Sequence, residues 1–178
     1  MAATDPKTGN TPITLGTWIF LLDQRGVRPE HPDVRDAVLA LRSAGDGADY
    51  DALGAALAEQ VAAGLGDRAE DPQAVVAWLS SLYGGRVEGA LGRTREERLG
   101  RVRSYQFRHN LPWLACIYDR FPDGSVLPHW VLVERVQDQI TCLDPYPWDD
   151  VDEEITTPVG DFLVKWELTG AVCARYVP

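Results

Sequence analysis

His129 and Asp144 are the two side chains whose types and spacing best suit chemistry, standing fifteen residues apart. An imidazole can take or give a proton near neutral pH. A carboxylate beside it fixes its tautomer and stabilises its charged form. Together they make the base and the orienting acid of a nucleophilic site, without naming the nucleophile. The three cysteines, Cys116, Cys142 and Cys173, lie in the apolar contexts LACIY, ITCLD and AVCAR. Their odd number and wide spacing suggest buried reduced thiols rather than a disulfide framework or a zinc site. His31, His109 and His129 are isolated from one another, so no metal motif is present and no cofactor is expected.

Bringing His129 to Asp144 requires two paired strands. Alternation and turn residues predict strands over 113–118, 129–136 and 139–143. Pro122-Asp123-Gly124 and Gln137-Asp138 are read as the turns between them. Such short connections force antiparallel pairing, so His129 at the start of one strand meets Asp144-Pro145 at the end of the next. A short helix from Thr157-Pro158 to about residue 164 and a last strand over 170–177 complete this half.

The residues before it read as helices. Leu15, Trp18, Ile19 and Leu22 share one face of a helix over 15–24, which Gly26 stops. Further helices are expected over 33–42 and 50–63. Another starts at the Asp71-Pro72 cap and carries Val75, Trp78, Leu79 and Leu82, and another covers 94–103, opened by the Thr94–Glu97 capping box. The order implies an α+β fold, a helical N-terminal half packed on a C-terminal antiparallel sheet. Residues 1–12 read as a flexible lead-in and 13–178 as a single domain.

The stretch PHWVLVERVQDQITCLDPYPW, followed by FLVKW and GAVCARYV, resembles the C-terminal half of the bacteriocin-processing cysteine peptidases, which cleave double-glycine leaders. The NLPWLACIY strand fits the same pattern. The resemblance covers residues 94–177, and 10–45 more loosely. It implies a papain-like cysteine-peptidase fold in which His129 and Asp144-Pro145 stand at the family's catalytic positions, with Phe162, Trp166 and Gly170 matching its last helix and strand. The family's nucleophile is a cysteine at the start of the first long helix, where the helix N-terminus lowers its pKa. Here that region reads ITLGTWIFLLDQRG, and alignment on its Gly-x-Trp puts Thr17 in the cysteine's place, with Thr14 as the lesser equivalent. Thr17 is thus either a replacement nucleophile or a helix N-terminal residue bonding a backbone N–H. Asn10 stands near the family's oxyanion-stabilising amide. Trp18, Trp130 and Trp148 are candidates to wall a peptide cleft, or else to pack in the core.

Three functions remain open on these residues. One is a repurposed enzyme acting on a peptide or amino-acid-like substrate in biosynthesis, with His129 as base and Asp144 as its orienter. Another is a catalytically inactive pseudo-peptidase that binds a leader peptide or a partner enzyme. The last is a structural or assembly protein. The net charge of −10 argues against nucleic acid as a partner. Residues 86–108 nevertheless carry seven Arg against three Glu, a local +4 that leaves −14 elsewhere. That segment is either a solvated face or a device that steers an acidic ligand. The acidic run from Trp148 to Glu154 is its counterpart. No apolar run approaches the roughly 20 residues a membrane helix needs. With no signal-peptide pattern at the N-terminus, a cytoplasmic location is expected and no membrane partner.

Overall fold

Pro12 is compatible with the first turn of a helix. A proline in the first turn loses no hydrogen bond, because the N–H it lacks would have no partner there. In the computed structural model, helix α1 accordingly spans Thr11–Gln24, four residues longer at its start than apolar spacing alone suggests. The structure describes residues 11–44, 50–88, 94–120, 124, 126–144 and 154–178. These form two compact units, one ending at Gly85 and the other spanning Arg86–Pro178.

In the N-terminal unit, α1 is apolar nearly all round and is buried from Thr14 to Leu22. Gly26 ends it with φ at 88°, letting Val27 N–H reach back to Leu22 O at 2.9 Å. Helix α2 (Pro32–Ser43) buries Val34 and Val38. Helix α3 (Tyr50–Leu65) crosses α1 where Gly16 meets Gly54. A Cβ on Gly16 would lie 2.6 Å from Gly54 O and 3.0 Å from Leu57 Cβ. A 3₁₀ turn (Gly66–Glu70) leads to α4 (Pro72–Leu82), whose cap Asp71 accepts a 3.0 Å bond from Gln73 N–H. Trp78 of α4 lies over Gly64, leaving no room there for a side chain. Buried Asp23, at the end of α1, is paired with Arg42 at 3.3 Å and Arg28 at 3.8 Å, which offsets the cost of burying its charge.

The C-terminal unit is built on an antiparallel sheet ordered β1-β6-β2-β3-β4-β5. Its strands are β1 (Val87–Glu88), β2 (Trp113–Arg120), β3 (Val126–Val136), β4 (Gln139–Leu143), β5 (Glu154–Pro158) and β6 (Cys173–Tyr176). Helix α5 (Arg95–His109) opens with the expected capping box: Glu97 N–H donates to Thr94 Oγ1 at 3.2 Å, and Thr94 N–H to the Glu97 carboxylate at 3.3 Å. It runs six residues beyond Arg103, to a left-handed cap at Asn110. Helix α6 (Val159–Glu167) adds Phe162, Leu163 and Trp166 to a core that includes Trp113, Ala115, Val131, Val133 and Cys142. The Trp113 and Trp166 rings lie 5.4 Å apart, and Trp166 Nε1–H donates to Val172 O at 2.8 Å.

Two expectations change here. Thr157 and Pro158 close β5, paired to Ile140 and Gln139, and Pro158 is also the N-cap of the expected helix, which begins at Val159 and runs to Glu167. The β-branched run Ile-Thr-Thr favours a strand, and β5 is an edge, where proline's missing N–H takes nothing from the ladder. The last strand is also shorter than 170–177, because Gly170 (φ 80°) and Ala171 (φ 56°) are left-handed and form a turn. Pro122, Asp123 and the run 148–153 lie outside the described residues.

Glu167 joins α6 to α5. Its carboxylate takes Arg95 on both oxygens, at 3.1 and 2.6 Å, and Arg98 at 2.6 Å. These guanidinium hydrogen bonds pull its pKa from 4.5 to about 2. A depressed carboxylate pKa stabilises the fold above the unfolded value and loses that contribution as pH falls through the folded one. Glu167→Gln should therefore cost about 1 kcal/mol at neutral pH, since the group is solvent-screened. Chemical denaturation from pH 7 downward should show the deficit closing between pH 4.5 and about 2. A deficit unchanged at pH 2 would remove the ion-pair explanation. In the other unit, Gly16→Val should lower the urea midpoint by an amount equivalent to about 1–3 kcal/mol, because the new side chain meets Gly54 backbone rather than a movable side chain.

Candidate functional site

Strand register brings His129 to Asp144. His129 is the fourth residue of β3, not its first, and pairs across the ladder with Ile117 of β2. On the other side Leu132 pairs with Leu143, so Asp144 follows one step beyond. Continuing that register sets Asp144 across from Val131, two residues from His129, where same-face side chains are diagonal neighbours. His129 Nε2 and Asp144 Oδ2 stand 2.8 Å apart, with side chains 11% and 8% exposed. The separation is that of a charge-assisted hydrogen bond.

The bond has a directional consequence. With the carboxylate accepting at Nε2, the neutral imidazole carries its proton there and its lone pair on Nδ1. Nδ1 is then the basic atom, and Asp144 compensates the positive charge when a proton arrives. This arrangement orients the ring and can carry one proton. It supplies no nucleophile.

The other candidates are placed as follows. Thr17 is the seventh residue of α1, fully buried in the N-terminal unit, and not at a helix N-terminus. The earlier start at Thr11 removes both the exposed-amide environment that would activate a group there and the capping role expected of it. Thr14 is likewise buried within α1. Trp18 is fully buried in the N-terminal unit, and Trp130 is buried on β3. Asn10 and Trp148 lie outside the described residues.

The cysteines are buried, as their apolar contexts suggest. Burial pushes the Cys116 thiol up to about 12, against a smaller opposing contribution from a backbone hydrogen bond at His129. Cys142 is also pushed up to about 12, by burial first and then by the charges of Asp144 and Glu134. Near neutral pH neither holds the thiolate that attack on a carbonyl needs. Among the described residues no group of three or more His, Cys, Asp or Glu is arranged to hold a metal ion. No described helix is long and apolar enough to cross a membrane.

One grouping was not legible in the chain. Arg175 of β6 is buried against Tyr105 of α5, its guanidinium 5.4 Å from the ring centroid. A single arginine in a short strand gives no signal of its own, and only the helix–sheet packing sets it beside Arg101 and Arg108.

No family model, curated protein or solved structure matches this chain.

The thiol environments give a direct expectation. Under native conditions at pH 8, Cys116 and Cys142 should react with Ellman's reagent at least about a hundredfold more slowly than in denaturant, where thiols have pKa near 8.5. Fast native labelling of either, mapped by peptide mass, would contradict the burial described.

Proposed function

We propose that this chain is a papain-like protein that has lost the cysteine nucleophile and works as a repurposed acid–base enzyme on a peptide or amino-acid-like substrate, in a biosynthetic setting in the cytoplasm. The observation that carries the reading is the 2.8 Å bond between His129 Nε2 and Asp144 Oδ2. Support for the fold comes from the order of elements, helices followed by an antiparallel sheet, and from the resemblance over residues 94–177.

In this reading the substrate side supplies the attacking group. His129 Nδ1 accepts the proton of an amine or hydroxyl as that group bonds to an acyl carbon. The imidazolium, stabilised by Asp144, then returns the proton to the leaving group as the old acyl bond breaks. Asp144 stays ionised throughout, and the catalyst ends as it began. No protein thiolate takes part, in keeping with buried Cys116 and Cys142.

A second reading has its own support. No cysteine precedes residue 116, and Thr17 is buried in the interior of α1. A protein so stripped of nucleophiles can serve as a pseudo-peptidase that holds a leader peptide or a partner enzyme.

The two separate in one assay. N-acetylated dipeptide thioesters with glycine as acceptor, followed by mass spectrometry, should give a condensed product at a rate above buffer. His129→Ala should lower that rate about 10²- to 10⁴-fold. Asp144→Asn should lower it less, and Cys116→Ala should leave it unchanged. Full turnover by the His129→Ala protein would end the enzyme reading. Absence of turnover, with the same peptides binding wild type and His129→Ala equally, would replace it by the binding reading.

A further inference from the structure

The arginines between Arg86 and Arg108 have different employments. Arg95 and Arg98 are taken up by Glu167, and Arg103 Nη2 donates to Gln137 O at 3.4 Å. Arg101 and Arg108 instead lie on one face of α5 with Ser104, Tyr105 and His109, at helical spacings of three, four, seven and eight. This face and Arg175 of β6 line a pocket of about 330 Å³. Three arginines line it, and no carboxylate is among its described lining residues.

The pocket wall is braced. Arg175 is only 5% exposed and stacks over Tyr105. The Tyr105 hydroxyl donates to Tyr176 O at 2.7 Å, and the His109 ring lies 5.1 Å from the Tyr105 ring. A cation fixed in this way keeps its position before any ligand arrives, which lowers the ordering cost of binding. Arg101 and Arg108 are exposed and form no ion pair among the described residues, so they complete the charge at the mouth.

The geometry points to a phosphate-binding pocket, taking inorganic phosphate or the phosphate group of a small monoester. The forked donors of exposed Arg101 and Arg108 and the Ser104 hydroxyl offer more hydrogen bonds than one carboxylate can accept, whereas a tetrahedral dianion has acceptors on every side. The volume is near the lower end for small-molecule sites, roughly 300–1,000 Å³, and suits a compact ligand. The pocket is separate from His129. Ala174 pairs with Leu114, which sets Arg175 toward Trp113, while His129 pairs with Ile117. Four residues of strand place them roughly 13 Å apart along β2. The inference is therefore independent of the acyl-transfer reading.

The test is titration calorimetry at low salt with inorganic phosphate and, separately, with glycerol phosphate. Saturable binding is expected, weakened at least about tenfold in the Arg101→Gln/Arg108→Gln protein. Both positions are exposed, so the fold should survive. Arg103→Gln removes one positive charge from the same helix outside the pocket and should leave affinity within about twofold, as should His129→Ala. Tighter binding of glycerol phosphate assigns the pocket to a monoester, and equal or weaker binding assigns it to phosphate itself. No saturable binding of either, or an equal loss in Arg103→Gln, would overturn the site, the second result marking mere charge attraction. Loss in His129→Ala would overturn its separateness.

Discussion

The β2–β3–β4 ladder is the constraint on which the C-terminal unit depends. Its register does two jobs with the same hydrogen bonds. It alternates Trp113, Ala115, Val131, Val133 and Cys142 into one apolar core, where α5 and α6 close over them. It also carries His129 and Asp144 to the end of that pattern, where the core gives way to a polar pair. A one-residue slip of β4 on β3 would turn Cys142 out of the core and Asp144 away from the imidazole together. Packing of the core thus holds the polar pair in place, and the pair adds a geometric demand on the same register.

Charge in this protein is sorted by burial. Asp23 is buried and paired with Arg42 and Arg28, where losing the partners would leave a costly charge. Glu167 is partly exposed and gathers two arginines in a forked arrangement that ties two helices. Arg175 is buried against an aromatic ring. A positive segment that looks uniform in the chain therefore divides into helix braces and a pocket lining, according to which helix face each arginine occupies.

Elements with strong local signals were legible in advance: the Thr94 capping box, the Asp71-Pro72 helix start, the Gly26 stop and strand β4 at residues 139–143. Boundaries set by weaker signals moved. The start of α1 passed to Thr11 because a proline in a first turn is as compatible with helix as with loop. Thr157-Pro158 suits both a helix start and an edge-strand end, and it is both: the pair closes β5 against β4 and Pro158 caps α6. The His129–Asp144 contact was legible because two short turns leave antiparallel pairing as the one arrangement open to those strands. The burial of Thr17 was not, since a threonine one turn from a helix start and one inside it differ only in where the helix begins.

The amino-acid order by itself determined the α+β class, the antiparallel hairpins, the burial of the thiols and the contact of His129 with Asp144. Each follows from short-range rules of periodicity, capping and turn length. Tertiary structure alone decided that His129 bonds through Nε2, that Thr17 is sealed inside α1, and that Arg175 joins Arg101 and Arg108 around one pocket. Those outcomes depend on which faces meet across long sequence separations, and a local pattern carries no information about the partner it will meet.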